Sequence, residues 1–320
     1  PRRGYMLEAP VSREMLEADK RTSILVAPLE DQGIDGNGDY IADGLTEEII
    51  TELSKVRSLR VIARASAMRL KGAGDALQEI ANGLGVDFIL DGSVRRWGDK
   101  LRVVLQLRRL DSDDARWGEH YEGTLGDLFE IQDEIATSVA KELAAHLGAR
   151  VPSNGHDIED ARAVEAYLRA RYEMLKFSKE GLQQAERHLV NGLDLVGPNT
   201  RLLGALGRAY AMHSEIGLDP TGEFTARAAE CAESIFELDP DSPNGYMLLG
   251  MVRFHKGDLR AAREPFERSL HTNPTDPDAL GMLGYVCALS GQSERAAQLF
   301  DQCLDVDPLT PLNHLSLIHI

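Results

Sequence analysis

Apolar residues in the first half of the chain switch between two periods. Ile24–Leu29 is a short apolar run stopped at Pro28, which predicts a strand. The Gly-rich polar stretch Glu30–Asp39 reads as a loop. Ile41, Leu45, Ile49 and Leu53 then recur on one face, which predicts a helix over Tyr40–Lys55 with Asp39 as its N-cap. Leu59–Ala63 is a second strand, and Asp75–Leu84 a short helix closed by Gly85. Phe88–Arg96 and Leu101–Leu110 form a hairpin around Trp97-Gly98-Asp99-Lys100, with Val94, Leu101, Val103, Leu105 and Leu107 turned inward. Arg116–Tyr121 is an edge strand. Leu128, Ile131, Ile135, Val139 and Leu143 put one face of a long helix, Leu125–Leu147, on the sheet. Strands alternating with helices predict a layered α/β domain.

The second half is helical and repeats itself. Gly250 recurs as Gly284, Gly257 as Gly291, Ala262 as Ala296 and Phe266 as Phe300, each 34 residues on. That is the period of a tetratricopeptide helix–turn–helix unit, which the stretch resembles. Gly250 and Gly284 let helix A approach its partner. Ala262 and Ala296 are the small residues helix B presents at the crossing, and Phe266 and Phe300 fill the space towards the next repeat. Asp239-Pro240, Asn273-Pro274 and Asp307-Pro308 end each helix B. The pattern departs from the family where Arg253 and Cys287 stand in place of an aromatic. Ala161–Pro198 reads as a degenerate first repeat. Arg201–Pro240 is a second, with a nine-residue insertion near Ile216–Glu223 because Gly207 lies 43 residues before Gly250.

The expected fold class is therefore α+β/α multidomain, a layered α/β domain followed by an all-α solenoid. The boundaries expected are 1–11, 12–21 (linker), 22–148 (α/β), 149–159 (Pro/Gly/Asn-rich linker), 160–314 (repeats) and 315–320. The last six residues, Leu315–Ile320, resemble the translation of a sequencing adapter and are expected to be non-native. With Pro1 first and a half-repeat at the end, the chain is expected to be truncated at both ends.

Composition narrows the function. The chain is 43% apolar and 27% charged, as for a globular protein, and no apolar run approaches the roughly 20 residues of a membrane helix. The net charge of −17 opposes binding to a phosphate backbone. Cys231, Cys287 and Cys303 lack metal-type spacing and read as core residues of a reducing compartment, in keeping with a cytoplasmic location.

Catalytic signatures are weak. Gly33–Gly44 carries Asp35, Asn37 and Asp39 but has glycine where a calcium loop needs its first and twelfth carboxylates. Lys71-Gly-Ala-Gly-Asp75 lacks phosphate-loop spacing. The histidines form no zinc pair. Asp43, Arg64 and Ser66 stand near strand ends, where open α/β sheets hold ligands, although caps and surface hydrogen bonds explain them more simply. No catalytic residue, cofactor or metal site is expected.

Two further resemblances give the chain a context. Pro1-Arg2-Arg3-Gly4-Tyr5 resembles the last strand of an OmpR-type winged-helix domain. Tyr40-Ile-Ala-Asp-Gly-Leu-Thr-Glu-Glu-Ile-Ile50, Leu59-Arg-Val-Ile-Ala-Arg64 and Gly92-Ser-Val-Arg-Arg96 resemble the TolB N-terminal-like domain over Thr22–Leu147. There the acidic turn is altered to Asp111-Ser-Asp-Asp-Ala115, which leaves the hairpin length open. Together they imply the sensory and interaction half of a bacterial winged-helix transcription regulator. DNA binding would reside in a lost N-terminal domain, and a protein or peptide would dock on the repeats. The alternative is the tail of a class III adenylate cyclase or protein kinase. A third reading is an envelope assembly protein, for which an upstream signal peptide would decide.

By the tetratricopeptide resemblance, helix A lines the concave surface. Asn244, Met247, Met251 and Phe254, then Asp278, Gly281, Tyr285 and Ala288, face away from helix B. Met247, Met251 and Tyr285 are expected to form a peptide groove, with Asn244 and Asp278 as polar guides, or else to pack on a neighbouring repeat. The charge yields one expectation: this chain alone should give no shift of duplex DNA in a gel-shift assay at moderate salt.

Overall fold

The computed structural model describes residues 21–33, 39–56, 58–111, 115–144 and 158–318. The winged-helix resemblance at Pro1–Tyr5, most of the Asp35–Asp39 loop and much of the 149–159 linker lie outside these residues.

The chain opens with strand β1 (Thr22–Val26), which is buried from Ser23 onward. Ala27-Pro28-Leu29 interrupts it, and Glu30–Asp31 resumes as a two-residue strand, β2. The sequence reading made this stretch a loop. It becomes a strand because β4 (Phe88–Trp97) is long enough to pair with β1 at Ile24–Val26 and again with β2 at Ser93–Val94. Helix α1 (Asp39–Ser54) and strand β3 (Leu59–Val61) follow. Asp39 is the first helical residue rather than a residue preceding the helix. A short helix α2 (Arg64–Met68), with no apolar period to announce it, precedes α3 (Leu77–Gly83). Strands β5 (Lys100–Arg109) and β6 (Ala115–Thr124) complete a six-stranded sheet of order β3-β1-β4-β5-β6, with β2 beside β4. The β1, β3 and β4 pairings are parallel, and β4-β5-β6 is an antiparallel meander.

Alternation along β5 decides how the sheet is covered. Leu101, Val103, Leu105 and Leu107 are buried, while Arg102, Val104 and Gln106 face solvent. Helix α4 (Leu128–Ala144) packs beside α1 and over β6. It begins after a tight turn at Leu125–Asp127, where Thr124 and Asp127 form a reciprocal capping box.

The rest is a helical array: α5 (Ala161–Met174), α6 (Lys179–Val196), α7 (Thr200–Glu215), α8 (Glu223–Leu238), α9 (Pro243–His255), α10 (Leu259–Thr272), α11 (Pro277–Leu289), α12 (Ser293–Val306) and α13 (Pro311–Ile318). Side-chain caps at Asp160, Ser178, Asn199, Ser242, Asp258 and Asp276 accept backbone N–H groups at six of the helix starts. The insertion in the second repeat is shared out. Helices α7 and α8 have 16 residues each, where α9 and α10 have 13 and 14, and the remaining extra residues lie in the turn Ile216–Gly222. The Asp219 carboxylate anchors that turn by accepting the Thr225 N–H at 2.8 Å and the Phe224 N–H at 3.1 Å.

The period-34 residues do specific work. A Cβ on Gly250 would lie 2.7 Å from the Phe266 ring, and one on Gly284 would lie 2.8 Å from Phe300. Each phenylalanine therefore sits on the glycine of its own repeat, rather than mainly between repeats. Ala262, Phe266, Ala296 and Phe300 are buried. Close packing of this kind tolerates little added volume. Gly250→Leu and Gly284→Leu should each destabilise the chain by about 1–3 kcal/mol in thermal or denaturant unfolding.

Candidate partner-binding groove

Helix A of each repeat touches helix A of the next, α5 on α7, α7 on α9 and α9 on α11. These helices therefore line the inner, concave side. The arginine end of that side is occupied by α1 of the α/β domain.

The sequence of α1 gives it two working faces. Ile41, Leu45, Ile49 and Leu53 lie in the core against the sheet. The other side presents Tyr40, Gly44, Glu47 and Glu48 to α5 and α7. A Cβ on Gly44 would fall 2.5 Å from Leu168 Cδ2, so the missing side chain is what lets α1 and α5 cross closely. The helix is consequently buried almost throughout, its glutamates included.

Buried carboxylates need partners, and the array supplies them. Glu48 accepts from the Tyr167 hydroxyl at 2.9 Å and from Arg201 Nη1 at 2.5 Å. The Arg201 guanidinium also lies 4.2 Å above the Phe129 ring of α4. Burial works against the Arg201 charge, but Glu48 and Tyr167 more than offset it and leave its pKa above the ordinary value. Burial, reinforced by Glu48, pushes the Tyr167 hydroxyl well up. Glu47 pairs with Arg171 of α5 and, at 3.0 Å, with Arg64 of α2. Burial brings Arg171 down to about 10, which still leaves it charged at neutral pH. At the start of α1, the Tyr40 hydroxyl donates to Glu165 at 2.8 Å and accepts from Arg96 Nη1 at 2.7 Å. Arg169 Nη2 donates to the same carboxylate at 2.8 Å. Burial raises the Glu165 pKa, but Arg169, Tyr40 and Arg96 together hold it down to about 2.

The other end of the array closes back on the α/β domain. The Ala63 N–H donates to the Val306 carbonyl at 2.6 Å. The Ser66 hydroxyl donates to Asp307 at 2.6 Å and accepts the Leu309 N–H at 2.8 Å. Arg60 donates to the Asp305 carbonyl at 2.8 Å, and Arg21 pairs with the Asp305 carboxylate at 3.2 Å. Between the two ends, a cleft of about 340 Å³ is lined by Arg21 and Ser54 on one side and by Leu270, His271, Pro274 and Thr275 on the other, and the Thr275 hydroxyl donates across it to the Ser54 carbonyl at 3.3 Å.

The groove residues named from the sequence differ in burial. Met251 is completely buried, because Arg208 of α7 lies across it with Nη1 3.3 Å from the sulfur. Met247, Phe254 and Tyr285 are half-buried. The Tyr285 ring packs edge-on against Phe300 at 5.2 Å, and its hydroxyl lies 2.8 Å from that of Ser316 on α13. Asn244 is exposed and lies beside Gly204 of the preceding helix A. Asp278 is exposed at the start of α11 and supports the charges of Arg64 and Arg171. Asp43, Arg64 and Ser66 do not converge on a ligand. Asp43 pairs with Lys71 at 2.7 Å, Arg64 with Glu47, and Ser66 with Asp307. Each thus bonds to a side chain of another segment, and Ser66 alone of the three reaches the array. Among the described residues no cluster of His, Cys, Asp and Glu has metal-holding geometry, and no helix is long and apolar enough to cross a membrane.

Tyr40, Glu47, Glu48, Glu165, Arg171 and Arg201 were not singled out by sequence reasoning. One signal was present. Arg208, Met251 and Tyr285 each directly follow a helix A glycine, so the second repeat turns a cation towards the side where the later repeats are uncharged. Arg208 itself pairs with Glu215 of the same helix, and the acidic pair in α1 is met by Arg171 and Arg201.

A tetratricopeptide-repeat family model matches residues 222–277 and 256–311, and this part of the chain is a tetratricopeptide array. A protein of Rhizobium meliloti (strain 1021) named "Putative adenylate cyclase 3" is 31% identical over 244 residues, 72% of this chain and 40% of its own length. The chain thus spans about two fifths of that relative. Among solved structures, a thermophilic tetratricopeptide protein of Thermus thermophilus is 14% identical, with 61% of this chain and 94% of that one covered at a TM-score of 0.43. MamA is 23% identical, with 45% and 80% covered at a TM-score of 0.34.

The Glu165 cluster has a defined pH signature. A carboxylate whose pKa falls on folding stabilises the fold above its unfolded value and loses that contribution as pH drops towards the folded one. With the ordinary value at 4.5 and the folded one at about 2, the loss falls below about pH 4.5. Wild type should melt higher than Glu165→Gln at pH 7 and pH 5, and the gap should shrink by pH 3.

Proposed function

We propose that this chain is the regulatory, protein-interaction region of a longer bacterial signalling protein, and that its α/β domain and repeats respond as one unit. The observation that carries this reading is the position of α1, which closes the sheet on one side and fills the concave side of the array on the other. A partner that engages the array is thereby felt by the α/β domain. The mixed sheet, with four strands in parallel pairing and an antiparallel meander, supports assigning residues 22–148 to the TolB N-terminal-like type. The array would occupy 160–314, with 12–21 and 149–159 as linkers and 315–320 as foreign sequence.

The effector it serves is read first as an adenylate cyclase, because the relative found over most of this chain carries that name. In that arrangement cyclic AMP formation would belong to a separate domain, and the present chain would set its activity from the cytoplasm. The residues described here would bind and relay without catalysing. A winged-helix DNA-binding effector is the second reading, favoured by Pro1-Arg2-Arg3-Gly4-Tyr5. One experiment separates the two. The full-length protein would be purified and assayed for cyclic AMP formation from ATP and for binding to duplex DNA from its own promoter region. Cyclase activity without DNA binding is the expected result. Salt-resistant, sequence-specific DNA binding without cyclase activity would establish the second reading, and neither activity would remove both.

A further inference from the structure

Helix α1 occupies the arginine end of the groove in the way a bound ligand would. Beside the close crossing of Gly44 on Leu168, its contacts with the array are polar and charged: Tyr40 on Glu165, Glu47 on Arg171, and Glu48 on Tyr167 and Arg201. Its apolar stripe is spent on the sheet. Contacts of this type have a competitor of matching chemistry, because each buried cation demands an anion and is indifferent to its source. At the other end the fastening is a polar clasp: Ala63 on Val306, Ser66 on Asp307 and Leu309, Arg60 and Arg21 on Asp305, and Thr275 on Ser54. The cleft beside Thr275 leaves open space along part of the seam between these ends.

We propose that α1 is a resident ligand that keeps the concave side of the array closed, and that the partner which opens it is an acidic helix. That helix would present paired glutamates to Arg171 and Arg201 in place of Glu47 and Glu48. The α/β domain would leave the array as a unit when the clasp opens, since withdrawing α1 alone would uncover Ile41, Leu45, Ile49 and Leu53. Once vacated, the groove runs from Arg171 and Arg201 to the half-buried Met247, Phe254 and Tyr285. It therefore fits a helix with an acidic half and an apolar half. This inference rests on the reading of the array as a protein-interaction surface and names the chemistry of its partner.

The test weakens the clasp and supplies the ligand. Ser66→Asp sets a second carboxylate against Asp307. Ala63→Pro removes the donated N–H and sets the ring Cδ against the Val306 carbonyl oxygen, while the φ of −63° at Ala63 suits proline. Both variants of this chain would be checked for cooperative melting. They would then be titrated with a fluorescent synthetic peptide of residues 39–54, and their radius of gyration measured by small-angle scattering. The expected result is expansion of both variants and peptide binding at least ten-fold tighter than to wild type. A peptide with both glutamates replaced by glutamine should lose that binding. Equal binding to wild type, or to the glutamine peptide, would overturn the proposal. Compact variants that bind nothing would overturn it as well. Expansion without peptide binding would rule out the acidic helix while leaving the array's interaction role intact. Dimers that form without peptide binding would assign the groove to a second copy's α1 and overturn the external partner.

Discussion

Glu48 and Arg201 are the charges on which the arrangement depends. Each is removed from most of its water, and the ion pair between them joins the two halves of the chain. A buried pair of this kind adds little net stability, but losing one partner is costly, on the order of 3–5 kcal/mol. Its contribution is therefore to geometry. Few placements of the α/β domain satisfy Glu48 with Tyr167 and Arg201 while also meeting Glu47 with Arg171 and Arg64.

That constraint explains features that look unrelated along the chain. Gly44 is required because α1 must come close to Leu168 for Glu48 to reach Arg201. The first two repeats carry Arg171 and Arg201 on their helix A because those helices meet the acidic face of α1. The last two repeats meet no such face, and their helix A residues Met251 and Tyr285 are uncharged. Degeneracy of the early repeats thus reflects what they hold. The early pair adapts to a charged helix, and the late pair, which packs on its own glycines and phenylalanines, keeps the period of 34.

The same constraint changes the meaning of the concave side. Groove residues chosen for their apolar character turned out to be shared between packing and partial exposure. Met251 lies beneath Arg208, and Tyr285 is engaged by Phe300 and Ser316. The residues that meet α1 are instead the charged ones. Sequence reasoning weighed apolar excess as the mark of a docking face, whereas here the seated helix is recognised by ion pairs and hydrogen bonds.

What the sequence by itself determined is local. The period of 34, the helix-ending prolines, the alternation along β5 and the four-residue spacing of α1 are set by backbone geometry and burial within a few turns, so they could be read directly. The solenoid and the mixed α/β layer followed from them. Elements without a period, the two-residue β2 and the short α2, were invisible because pairing with β4 and contact with the array create them. The second face of α1 was invisible for a related reason. Glu47 and Glu48 look like solvated surface in a linear reading, and only the return of α5 and α7, more than a hundred residues later, decides that they are buried. The cost of burying a charge acts through space, and the partners that offset it stand at no fixed spacing along the chain.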